Sequence, residues 1–225
     1  MTLLIASCIA FLALHMGISS TPLRGRLNDA LGQNGYLALY SLLAITALGA
    51  MIHFYGGLDH TDFVWHPNAV SYKITKVFLL VATVLLVVGI MTKNPTTVMM
   101  EDALNDDIKG ILKITRHPTQ WAILLYSIGH LIANGDSASI VFFGTLAIMS
   151  GVGMVALDYR KKATQDEKWL AFYATTSTLP FAAILSGKTK LQLKELNWIA
   201  VAIGVALYGS VYWLHDMVSG GASLF

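Results

Sequence analysis

The sequence predicts an all-α, polytopic membrane helix bundle of about six transmembrane helices, with a short interfacial or re-entrant segment near 169–186. A single domain spans residues 1–225. Three observations carry this. Of 225 residues, 55% are hydrophobic and 12% charged, against roughly 25% charged in a soluble domain. Mean hydropathy is +0.61. Apolar runs near 3–19, 36–55, 72–92, 137–157 and 198–215 each reach or approach the roughly 20 residues that cross a hydrocarbon core as helix.

The first run has no Lys or Arg before Arg24 and no small-residue cleavage site after it, so it reads as a retained helix rather than a secretory signal. It carries the lone cysteine, Cys8, which excludes an intramolecular disulfide. The loop 94–114 mixes apolar and charged residues, as a short interfacial helix does. Pro118 suits the first turn of the next crossing, where its missing N–H costs nothing. That crossing, 119–133, spans only about 22 Å at helical rise, against a core of about 30 Å. "ANGDSAS" then reverses the chain, with Asn-Gly for the turn and Asp136 or Ser137 as cap. Small residues one turn apart, Ala147 with Gly151 and Ala202, Ala206 with Ser210, suit close helix contact. The segment 169–186 is broken by Thr175 to Thr178 and by Pro180, so it lies against the bundle or re-enters it.

Cations set the orientation. Thirteen, from Arg24 and Arg26 through Lys93, Arg116 and Arg160 to Lys194, fall in alternate loops, leaving Lys73 and Lys76 on the other side. The positive-inside rule then places those loops in the cytoplasm and both termini outside. No basic nucleic-acid footprint exists, because the cations are spread beside acids. The partners this composition implies are the lipid bilayer, a hydrophobic small molecule, and a second copy of the chain or another membrane protein.

Ionisable groups at membrane depth are functional candidates. His53 and His215 sit near the outer ends of their helices; His15 and His130 lie deeper. His15 shares a stripe with Cys8, Phe11 and Leu12, and His130 a face with Tyr126, Ser127 and Asn134. Each reads either as a hydrogen-bonded core histidine or as a metal ligand, since neutral imidazole is the commonest ligand and bundle cores host cofactors. No Cys-x-x-Cys, His-x-x-x-His or carboxylate cluster completes a zinc set, whereas two histidines suit the axial positions of a haem. Depth opposes the pairing: counted from opposite surfaces, the two residues differ by about 10 Å, a gap for helix tilt to close. A separate signal is Arg116-His117-Pro118, a cation beside the free N–H groups of a helix start. It reads as an anion site for carboxylate or phosphate, or as an interfacial anchor before an N1 proline.

"RHPTQWAILLYSIGHLIANGD" resembles the hallmark of the NnrU family, "RHP" followed by "AHLLANGD". The agreement extends to "FLALHMGISSTPLRGRL", "GQNGYLALYSLLA", "TSTLPFAAILSGKT" and "LYGSVYWLHDMV", which cover most of the chain in order. The resemblance implies a multispanning inner-membrane protein whose family name is tied to nitrite and nitric oxide reduction. The related zeta-carotene isomerase holds haem b through histidines on its first helix and in its "AH" segment. Carried over, this gives haem b as cofactor, His15 and His130 as iron ligands, and a redox or isomerase-like role. That isomerase has a cysteine where Ser127 stands here. The "TRHP" entry also resembles lipid and isoprenylcysteine methyltransferases. That alternative makes Arg116 and His117 part of an S-adenosylmethionine site, with Glu167 and Tyr173 as remnants of the acidic and tyrosine pattern. A noncatalytic membrane assembly factor is the third reading.

Overall fold

Apolar runs fold as helix because a chain in lipid must satisfy its own backbone polar groups. The computed structural model describes all residues except 19, 20, 22, 98, 165 and 219–225. Its helices are α1 (Thr2–Leu12), α2 (Leu23–Gly56), α3 (Ala69–Ile90), α4 (Ile111–Ile114), α5 (Pro118–Ala133), α6 (Ser137–Ala163), α7 (Glu167–Thr175), α8 (Ala182–Leu185) and α9 (Trp198–Val218). Among the described residues there is no strand, only an isolated bridge between Phe63 and Asp136.

Within α2, α3, α6 and α9 there is a stretch long and apolar enough to cross a membrane. α2 is two helices joined at Gly32, whose φ of 69° and ψ of 161° are open to glycine at low cost. The charged stretch 23–31 is thus set apart from the apolar stretch after it. α1 continues through a π-helical stretch, Ala13–Ile18, and α5 has 16 residues, so six crossings require both of these to serve as short spans.

Local signals set the helix ends. Asn68 caps α3 by accepting from the amides of Val70 and Ser71, and the Ser71 hydroxyl accepts from the Asn68 amide in return. Asp136 caps α6 by accepting from the Ser139 amide, while Pro118 opens α5 as N1. The interrupted segment after 166 forms two short helices, of 9 and 4 residues, neither long enough to span.

Packing runs α9, α3, α5, α6, with α1 and α2 against α6. The close approaches fall at glycines other than the small-residue steps the sequence picked out. A Cβ at Gly204 would stand 2.8 Å from the Val84 Cα, at Gly129 3.2 Å from the Phe78 Cβ, and at Gly89 2.7 Å from the Thr119 hydroxyl. Gly151 has open space around it, and Ala202, Ala206 and Ser210 are exposed. Small residues permit contact on any face; only the packing shows which face meets a neighbour. Leu4, Cys8 and Phe11 of α1 meet Met51, Ala138, Phe142 and Phe143 in one cluster.

On the side of the bundle that holds the start of α6, residues 58–66 form a strap over the α5–α6 turn. The Gly135 carbonyl accepts from Val64 at 2.8 Å, Ser137 donates its amide to the Asp62 carbonyl at 2.9 Å, and the His60 imidazole meets the Asp136 carboxylate at 2.9 Å. Gly135 is required here for proximity, since a Cβ would lie 1.8 Å from the Trp65 carbonyl oxygen. Gly135→Ala is therefore expected to lift the strap and cost about 1–3 kcal/mol, read as a fall of several degrees in thermal unfolding in detergent. Burial pushes the Asp136 carboxyl up, but hydrogen bonds from Ser139 and His60 outweigh it and hold the group below the usual carboxylate range. A depressed folded value gives stability that is present above the unfolded value, about 3.9, and lost as pH falls through the lower folded one. Hydrogen exchange of 58–66 should stay slow down to about pH 4 and accelerate in stronger acid, with Asp136→Asn removing that acid step.

Candidate functional site

Two polar sites lie at the opposite side of the bundle from the strap. The first is buried and closed. Arg116, 5% exposed, and His117, 1% exposed, both meet Asp158 of α6. Arg116 Nη1 donates to Asp158 Oδ2 at 3.1 Å and His117 Nε2 lies 2.8 Å from Oδ1; the Thr178 hydroxyl also donates to Oδ2. Arg116 Nη2 reaches the Thr176 carbonyl at 2.8 Å, and its guanidinium lies over the Tyr173 ring, 4.3 Å from the centroid. Asn94 and Thr96 both donate to the Arg116 carbonyl, while Thr115 and Trp121 donate to the Thr178 carbonyl. This network ties the loop after α3, the start of α5, the end of α6 and the 176–181 loop into one junction. It also accounts for Thr176, Ser177 and Thr178 of the polar run, whose groups satisfy the helix entrance.

The anion that Arg116-His117 calls for thus comes from the chain itself. Sequence reasoning missed Asp158, although an acid within the apolar helix 137–157 and its extension was a signal in its own right. Glu167 lies in the first turn of α7, while Tyr173 packs with Trp169, Phe172 and Arg116.

The second site is a cavity of about 600 Å³, within the roughly 300–1,000 Å³ of small-molecule and cofactor sites. It lies between the π-helical stretch, α2, α6 and the loop after Pro95, with His15, Tyr40, Gln120, Met149 and Arg160 among its walls. His15 stands in the π-helical stretch, a conformation that recurs at functional sites. Its Nδ1 lies 2.9 Å from the Phe11 carbonyl, and its ring sits 5.7 Å from that of Tyr40. That bond suits the Nδ1–H tautomer, since a carbonyl can only accept, and anchors the ring through Nδ1, as the non-ligating nitrogen of a metal-bound histidine is held.

His130 shows the same anchoring, Nδ1 to the Tyr126 carbonyl at 3.0 Å. Its surroundings differ. The ring stacks on Phe143 at 4.5 Å, with Tyr126 4.2 Å away, and Asn134 donates to the His130 carbonyl. Ser127 is buried, its hydroxyl on the Ile123 carbonyl. The described walls of the cavity include His15 and neither His130, Tyr126, Ser127 nor Asn134. The depth difference has a structural counterpart. Cys8 touches the Val141 carbonyl, and His15 lies seven residues further along, about 10 Å, whereas His130 meets Phe143, two residues past Val141. Phe143 belongs to the same buried cluster as Cys8 and Phe11 and stacks on His130. Among the described residues, no group of three or more His, Cys, Asp or Glu could hold a metal; a haem, which brings four nitrogens of its own, needs no such group.

The family model for the NnrU protein matches residues 3–222, both sites included. The chain belongs to the NnrU family. This NnrU chain is also 26% identical, over an alignment of 243 residues, to the chloroplastic 15-cis-zeta-carotene isomerase of Zea mays. The alignment covers 95% of the NnrU chain and 60% of that relative, so the chain spans less than two thirds of the relative's length. No solved structure matches.

Proposed function

We propose that this NnrU protein is a membrane-embedded, isomerase-type protein that acts on an apolar small molecule and holds haem b in the cavity beside His15. The observation that carries the reading is the His15 imidazole, set in the wall of a cofactor-sized cavity with its Nδ1 anchored on the Phe11 carbonyl. His15 would hold the iron, while Met16, Leu37, Met149 and Leu157 line the cavity with apolar surface. The bound haem would supply a redox-active iron whose potential and ligand access the surrounding protein tunes. His130 carries the tautomer of a second ligand, but Phe143 covers its ring. It would be the second residue to hold the group. The relative's name describes isomerisation of a polyene, and an apolar substrate of that class reaches the bundle through the bilayer. The thirteen cations on alternate loops support both termini facing outward.

The methyltransferase alternative needs Arg116 and His117 to face an anionic cofactor. Asp158 already holds both.

The test is the optical spectrum, oxidised and reduced, of protein purified in detergent from haem-sufficient cells. A Soret band that shifts on reduction is expected; colourless protein from such cells sinks the proposal.

A further inference from the structure

Residues 168–194 contain four lysines and no acid, and much of the rest is apolar. Their backbone is pinned to the bundle. The Ser177 carbonyl accepts from the Arg116 amide at 2.9 Å, the Phe181 amide donates to the Ile114 carbonyl at 2.8 Å, and the Lys113 ammonium donates to the Lys190 carbonyl at 3.1 Å. Gly187, with a φ of 74°, ends α8, and the Lys188 amide turns back to the Ala183 carbonyl at 2.9 Å. Several side chains nevertheless stay outside. Leu179 is 63% exposed, Phe181 50% and Leu185 85%, and Lys188 and Lys190, which follow, are exposed too. Phe181 takes a φ of 65°, a left-handed conformation that is costly for a bulky residue and persists only where its surroundings impose it. Its ring is left half exposed, so burial within the chain is not what this strain secures. The nearest acid along the chain, Glu195, is already held by Lys113 at 2.8 Å. Trp198 sets the level of the segment. It opens a stretch of α9 apolar enough to cross a membrane, and its indole N–H donates to the Leu193 carbonyl at 2.9 Å. Residues 179–193 are thereby tethered where α9 enters lipid, the depth at which tryptophan gathers.

We propose that residues 179–190 form a contact surface for anionic phospholipid, with Leu179, Phe181 and Leu185 seated at the edge of the acyl layer and Lys188 and Lys190 at the charged headgroups. Apolar side chains left in water carry a cost that shallow burial in a bilayer removes. A lysine suits the boundary, because its methylenes lie along apolar surface while the ammonium stays among the headgroups. Each such cation adds attraction to a leaflet of negative surface potential. A protein partner would have to bring its own apolar face and its own acids, whereas the bilayer that α9 crosses supplies both. The described walls of the cavity beside His15 include none of these residues, so the inference stands whether or not that cavity holds a haem.

The test follows the depth of a nitroxide attached through Ser186→Cys, an exposed position next to Leu185, in the full chain carrying Cys8→Ala at its buried cysteine. The protein is placed in nanodiscs of phosphatidylcholine, or of equal parts phosphatidylcholine and phosphatidylglycerol. Collision of the label with oxygen and with a water-soluble nickel chelate is then measured. Phosphatidylglycerol should raise the oxygen-to-nickel ratio, the embedded population gaining about fivefold over the exposed one for each lysine engaged. High salt should shrink that gain. Lys188→Gln with Lys190→Gln should abolish it, with circular dichroism unchanged. Phe181→Gly, which accepts the left-handed φ without a Cβ, should keep the fold and lower the ratio in both discs. A ratio indifferent to phosphatidylglycerol, or a gain that survives in the folded glutamine variant, overturns the proposal. A label that stays in water in every disc overturns it as well and leaves the exposed side chains to a protein partner.

Discussion

Asp158→Ala is expected to destabilise the protein by about 3–5 kcal/mol, the cost of removing one partner from a buried ion pair. The carboxylate is the common acceptor for Arg116, His117 and Thr178. Without it the Arg116 charge stays buried beneath Tyr173, with its remaining hydrogen bond on the Thr176 carbonyl. Arginine cannot shed its charge to escape that cost. In a chain of this size the loss amounts to a fall of roughly 10 °C in thermal unfolding, measured in detergent by circular dichroism. Arg116→Ala should cost a comparable amount. Combining the two should cost less than their sum, because each single change strands the other's charge. A shift under about 2 °C for Asp158→Ala would show that the junction is not held by this carboxylate.

His15→Ala should lower haem retention by about tenfold or more, on the scale of lost ligand contacts at metal sites. His130→Ala should leave most haem bound and alter only its spectrum. The difference follows from placement: His15 is a wall of the cavity, whereas His130 stands behind Phe143. His53→Ala, at an exposed position on α2, should change neither. Pyridine haemochrome content per protein measures retention, and the oxidised and reduced bands report coordination. Equal loss in His15→Ala and His130→Ala would mean that both rings share the iron already, against the present arrangement; no loss in His15→Ala would remove the ligand assignment.

The site was legible in the sequence residue by residue more than as an arrangement. His15 and His130 stand out because histidine at membrane depth is rare, and their depth difference followed from counting residues at helical rise. Arg116 and His117 stood out through Pro118, but the reading stopped at the cation, because its counter-ion lies 41 and 42 residues away. A cation–anion pairing between distant segments leaves no periodic trace. The rim of the cavity was hidden for the same reason. Arg24 and Arg160 looked like two members of a topogenic set, and only the fold brings both to the wall of one cavity.

Alone, the sequence determined the bundle class, the long apolar spans, a cap at Asp136 or Ser137 and the place of Pro118. Each of these depends on local hydropathy or on hydrogen bonds between near neighbours, and such information is written in consecutive residues. Only the tertiary structure decided that Gly89, Gly129 and Gly204 are the contact points, that Asp158 neutralises the helix entrance, and that His15 faces a cavity while His130 faces Phe143. Those outcomes turn on which helix faces meet, and a face is chosen by the fit of all its neighbours at once.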